Sequence, residues 1–250
     1  MAIDNVDNGP CEAIDCFCPH SENFQDIADL IATNLSTLRI LSLPGDQIGK
    51  LPVRTFTSLT ELDIIESSEL SGLDLICHHA VNLQSLIIQG DDDVDVFSIL
   101  KNNPSALPAL TSFKIISLVS FDEPFGQAIS VFIQGRPLLR RLDLGLLPAN
   151  WTTFAIFLPM IADLHGLKAL GLTIPLKVDD YSLITRYLPI GLEALRLKVD
   201  LSQPLMDHGP LAVIVSCPIV RFKSSTDFFM SIYTDAEIER DAVTCLRFFA

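Results

Sequence analysis

Positive charge is scarce in the first part of this sequence, and no stretch of the chain stays apolar for long. Residues 1–95 hold 17 acids and 3 bases while residues 96–250 hold 14 of each, so the whole formal charge of −14 originates in the first part. A surface of that sign repels phosphate backbones and anionic headgroups, which speaks against a general nucleic-acid or membrane-surface role. The longest apolar stretches, "FAIFLPMIA" from Phe154 and "LAVIVSCPIV" from Leu211, reach about half of the ~20 residues that a bilayer span needs, and both read as core. The first residues, "MAIDNVDNGPCEAIDC", lack the basic start and apolar block of a signal peptide. A cytoplasmic or nuclear location is therefore expected, with all six cysteines reduced and the sequons at Asn34 and Asn150 unglycosylated. Also missing are G-x-S-x-G, a phosphate loop and G-x-G-x-x-G, which leaves hydrolase, nucleotide-binding and dinucleotide-binding readings without support.

What the chain does have is leucine at a recurring distance. The pattern L-x-x-L-x-L, with Ile or Phe allowed at the later anchors, occurs seven times: "LRILSL" at Leu38, "LTELDI" at Leu59, "LQSLII" at Leu83, "LTSFKI" at Leu110, "LRRLDL" at Leu139, "LKALGL" at Leu167 and "LEALRL" at Leu192. Successive copies start 21, 24, 27, 29, 28 and 25 residues apart. The last two anchors of each copy are two residues apart and so share one side of a strand. Between copies, apolar residues fall at helical spacing, as in "FQDIADLIATNL" and "FGQAISVFIQG", and proline or glycine closes the helix before the next strand in "RPLLRRL" and "LPIGLEAL". Each unit is one helix and one short strand, neither of which can bury its apolar side alone, so the units are expected to stack. Charged residues make up only 19% of the chain, which leaves ample apolar material for such a core.

Here the chain resembles the leucine-rich-repeat family, and its irregular helix-bearing units resemble the repeat regions of fungal F-box proteins. The resemblance implies an α/β solenoid of about seven or eight repeats, with a curved parallel sheet on the concave face and helices on the convex face. The family's polar turn position, three residues after the third anchor, holds Asp46, Ser67, Asp91, Leu118, Leu147, Pro175 and Asp200 in this chain. Its polar ladder is broken in the middle, so irregular turns are expected there. In the fungal proteins such a solenoid selects a substrate for a ubiquitin ligase, while an F-box holds a Skp-type adaptor. Residues 1–23 are too few for an F-box and carry no "LPxE"-like start, so that adaptor is not an expected partner.

The expected organisation is a flexible acidic, cysteine-containing arm over 1–23, a solenoid over 24–223 and a capping segment over 224–250. An eighth, degenerate unit is expected to place its strand in "PIVRFK". A final helix is expected in "DAEIERDAVTCLRFF", from the spacing of Ile238, Ala242, Leu246 and Phe249, covering the end of the sheet. The expected function is non-enzymatic protein binding, without cofactor, nucleic acid or membrane. Strand residues between the anchors must point away from the core, and those chosen as the binding strip are Glu61, Asp63, Ile87, Gln89, Lys114, Ile116, Arg141, Asp143, Thr173, Arg196 and Lys198. Its acids lead and its bases trail, giving apolar contact for affinity and charge order for orientation.

Three other clusters hold residue types capable of chemistry. Cys11, Cys16, Cys18 and His20 are soft ligands within ten residues, which raises the alternative of a metal- or redox-responsive scaffold; the spacing lacks the paired knuckles of a structural zinc site, so no metal is expected. Cys77, His78 and His79 fall on one predicted helix, where consecutive residues face different ways and cannot form a dyad. "DDDVD" from Asp91 lacks the glycine and glutamate of a calcium loop, with Val96 and Asn102 in those places, and reads as a solvated turn before a helix beginning near Val94. His165 and His208 fall in predicted turns without a partner.

Overall fold

A computed structural model describes residues 13–15, 24–65, 72–90, 94–121, 123–134, 136–148, 150–175, 181–200, 228–233 and 244–248. The seven leucine-led hexamers lead into seven strands: β2 (Ile40–Pro44), β3 (Glu61–Ile65), β4 (Ser85–Gln89), β5 (Ser112–Phe121), β6 (Arg141–Pro148), β7 (Ala169–Ile174) and β8 (Ala194–Asp200). They lie side by side in chain order, all parallel. β1 (Ala13–Asp15) joins this sheet parallel to β2, and β9 (Phe228–Tyr233) joins parallel to β8. β10 (Thr244–Phe248) closes the order antiparallel to β9.

One backbone device repeats along the stack. The carbonyl of the residue after each first leucine accepts an N–H from the equivalent residue of the next unit. Arg39 accepts from Thr60 at 2.8 Å, Thr60 from Gln84 at 2.8 Å, and Gln84 from Thr111 at 2.8 Å. Thr111 then accepts from Arg140 at 2.7 Å, Arg140 from Lys168 at 2.8 Å, and Lys168 from Glu193 at 2.7 Å. Equivalent residues are thus bonded to one another whatever the length of the intervening loop, which explains how spacings of 21 to 29 residues still produce an in-register sheet.

Helical pieces connect the strands: α1 (Phe24–Asn34), α2 (Gly45–Ile48), α3 (Val53–Ser58), α4 (Leu73–His79), α5 (Val94–Asn102), α6 (Glu123–Ile133), α7 (Trp151–Ala155), α8 (Phe157–Ala162) and α9 (Tyr181–Tyr187). The second and third anchors of all seven hexamers are buried and share one core with Ile31, Phe56, Ile76, Leu100, Phe132, Phe157 and Ile184 from these helices. Phe113 of β5 meets Phe132 of α6 with ring centroids 5.4 Å apart, a tilted contact that pins helix to sheet. Neighbouring helices contact each other as well, so each unit covers the apolar side of the next. Gly72, at φ +96°, caps α4 so close to the Gly49 backbone that a Cβ would stand 2.8 Å away, which makes glycine a requirement at this point.

Arg136 is buried at the end of α6 and has no acidic partner among the described residues. Its guanidinium donates to the carbonyls of Phe132 (2.5 Å), Ala106 (2.6 Å), Leu107 (3.1 Å) and Pro104 (3.2 Å), and lies 3.9 Å above the Phe132 ring. It holds the turn before β5, in which Leu107 adopts φ 54°. Burial lowers its pKa from 12.5 to about 10, which leaves it protonated at neutral pH.

Two terminal expectations change. Ala13–Asp15, expected within a flexible arm, forms a strand, because the edge of β2 offers unpaired backbone groups that an extended segment satisfies. Thr244–Phe248, expected as helix, is strand β10: "TCLRF" is β-branched and aromatic, and pairing with β9 supplies its backbone bonds. The expected strand "PIVRFK" lies outside the described residues. Leu118, expected in an irregular turn, lies inside strand β5, whose pairing with β6 shifts register between Ser117 and Ser120.

Candidate functional site

The face of the sheet turned away from the helices is a grid set by strand register. One row runs Glu61, Ser85, Ser112, Arg141, Ala169, Ala194 from β3 to β8. The next runs Asp63, Ile87, Lys114, Asp143, Gly171, Arg196 over the same strands. Beyond these, Gln89, Ile116 and Gly145 lie in register on β4 to β6, and Thr173 with Lys198 on β7 and β8. Strict alternation generates the grid: with anchors buried on one side, every intervening residue is sent to the other.

Glu61, Arg141 and Arg196 are exposed, and Asp63, Ile87, Gln89, Lys114, Ile116 and Asp143 are half-buried. Thr173 departs from the expected strip. Only 3% of it is exposed and its hydroxyl has no hydrogen-bond partner among the described residues, so it cannot serve as a contact residue in this arrangement. Alternation predicts the side a residue points to but not what covers it there.

The ion pairing on this face is selective. Arg196 pairs with Asp143 by reaching across Gly171, where a side chain would overlap the Asp143 carboxylate. Gln89 donates to Asp63 at 3.2 Å. Glu61, Lys114 and Arg141 have no side-chain partner among the described residues. Between β5 and β8 the small residues Ser112, Ala169, Gly171 and Ala194 leave a hollow of about 250 Å³, bordered by Lys114, Arg141 and the Asp143–Arg196 pair. The strip was legible from alternation. This hollow needs small residues at equivalent places on β5, β7 and β8, on either side of Arg141 and Asp143 of β6, a signal visible only after the units are aligned.

The remaining candidates separate. Cys77 is buried while His78 is exposed and faces away, its Nδ1 2.7 Å from the Asp74 carbonyl within α4. Burial pushes the Cys77 thiol up to about 11, the opposite of an activated nucleophile. His165 is exposed in a turn. Cys11, Cys16, Cys18, His20, His208 and Asp91 to Asp93 lie outside the described residues. Among the described residues no three His, Cys, Asp or Glu side chains converge as a metal site, and no helix is long and apolar enough to cross a membrane. No protein-family model matches the chain, and no curated protein matches it.

Proposed function

We propose that the chain is a leucine-rich-repeat solenoid that binds another protein on the sheet face away from its helices and performs no chemistry of its own. The observation that carries this reading is the in-register grid on β3 to β6, where Glu61, Lys114 and Arg141 stand without side-chain partners among the described residues, around the half-buried Ile87 and Ile116. Helices occupy the other side of the sheet, so this face is the one with accessible strand centres. A mixture of apolar contact and unspent charge is the composition of a non-obligate protein interface. Cys77, buried with its thiol pushed up to about 11, is poorly suited to act as a nucleophile beside His78. The finer reading, substrate recognition for an F-box-type ubiquitin ligase, rests on the resemblance of the repeats alone.

Capture of proteins from cell extract on the immobilised chain tests the reading. A protein retained by the wild type and by the helix-side control Lys101→Glu, and lost from Glu61→Arg, Arg141→Glu and Arg196→Glu, supports it. Retention that is the same across all variants overturns it. Ubiquitin-ligase subunits among the captured proteins would support the finer reading.

A further inference from the structure

The two charged rows have matching polarity. In one, Glu61 on β3 and Arg141 on β6 stand three strands apart with Ser85 and Ser112 between them. In the other, Asp63 on β3 and Lys114 on β5 stand two strands apart with Ile87 between them. At about 4.8 Å per strand step these separations are roughly 14 and 10 Å, too long for direct pairing over an intervening side chain. Apart from Asp143 on β6, which is held by Arg196, the acids of these rows are on β3, and the cations without a side-chain partner among the described residues are on β5 and β6, beside the hollow of about 250 Å³. Two cations without a side-chain partner among the described residues, beside a cavity on a chain of net charge −14, offer an acidic group a contact that the overall charge does not.

Resting on the protein-binding reading above, we infer that this face takes an extended protein segment in which an acidic side chain is followed, about three or four residues away, by a basic one with an apolar residue between them. The acidic group sits between Lys114 and Arg141 at the mouth of the hollow, the apolar one against Ile87, and the basic one over Glu61 and Asp63. The segment runs across the strands, and its charge order fixes which end lies over β3. A nucleic acid fits badly, because its phosphates would meet Glu61 and Asp63 at the same spacing at which they meet the cations.

The test uses the full chain and two fluorescein-labelled synthetic peptides of equal composition. One carries two aspartates, a leucine and two lysines in that order; the other alternates the same charges. Anisotropy titration is expected to show at least tenfold tighter binding of the ordered peptide. That preference is expected to disappear in Lys114→Glu/Arg141→Glu and to shrink in the neutral pair Lys114→Gln/Arg141→Gln, while Lys101→Glu leaves it intact; circular dichroism establishes that each variant is folded. Equal affinity for the two peptides, absence of binding, or indifference to both double variants overturns the inference. Should capture from extract still depend on the strip while the peptides bind alike, the charge-order inference fails and the docking face stands. Should capture be indifferent to the strip, the underlying reading fails.

Discussion

Arg196 of β8 pairs with Asp143 of β6 over the top of Gly171 in β7, an ion pair between strands that are not neighbours. The glycine makes it possible, because a Cβ there would collide with the Asp143 carboxylate. Arg196 keeps 45% of its side chain exposed and Asp143 22%, so water screens the pair and its contribution is small. A double-mutant cycle with Arg196→Ala and Asp143→Ala is expected to give a coupling of about 0.5 kcal/mol that weakens with salt. In a Gly171→Ala background the coupling should vanish and the urea midpoint fall. A coupling that survives the added methyl would refute this geometry.

Ile87 occupies between Asp63 and Lys114 the place that Gly171 occupies between Asp143 and Arg196. The two arrangements differ in the middle residue and in the cation, lysine in one and arginine in the other, and only the glycine one is bridged. Asp63 and Lys114 are therefore expected to show no measurable coupling in the wild type and about 0.5 kcal/mol in an Ile87→Gly background, measured by the same cycle. The substitution itself should lower stability by about 1–2 kcal/mol, through lost apolar burial and a freer unfolded backbone. Coupling already present in the wild type would contradict the proposed vacancy of Lys114.

Arg136 donates to four carbonyls, of which that of Leu107 also accepts from the Leu110 N–H. Arg136→Met retains much of the stem but leaves buried acceptors without donors, and a loss of about 2–4 kcal/mol in urea unfolding is expected. Arg136→Lys should recover little of it, since an ammonium cannot span the positions that the planar fork reaches. Full recovery by lysine would show that charge, not the fork, holds the turn before β5.

The repeat could be read from the chain because its cause is local: two anchors at strand spacing must share a side, and all seven pairs do, from Leu41 and Leu43 to Leu195 and Leu197. Charge order on the opposite side followed from the same parity. Arg136 was not legible, since an arginine in "GRPLL" resembles any solvated turn until the Pro104–Leu107 carbonyls of the preceding unit are placed around it. Thr173 was misread for a related reason: its direction is a property of the strand, its 3% exposure a property of what lies over it. At the C-terminus, Leu246 and its neighbours fit a helical spacing, but the edge of β9 offered extended residues a full set of backbone partners. Tertiary hydrogen bonding outweighed a short apolar period.

Cys77 gives the fold a pH dependence with a definite sign. Burial is the main cause of its rise from 9.0 to about 11; the charge of Arg136 opposes the rise and that of Asp74 adds to it. Below pH 9 the thiol is protonated in both folded and unfolded chains, and its contribution to stability is constant. Between about 9 and 11 the unfolded chain has released a proton that the folded chain retains, so stability falls as pH rises through this window. A shift of this size corresponds to roughly 2–3 kcal/mol at the upper end. Urea unfolding of the wild type and Cys77→Ala reports the thiol together with its coupling to Arg136, whose pKa is lowered to about 10 by burial and raised by the Cys77 charge. The wild type is expected to lose stability more steeply above pH 9, with Cys77 unmodified by iodoacetamide at about pH 8 until urea unfolds the chain. Parallel pH profiles, or alkylation of Cys77 in the folded protein, would mean that the thiol is not held in the core between α4 and the sheet.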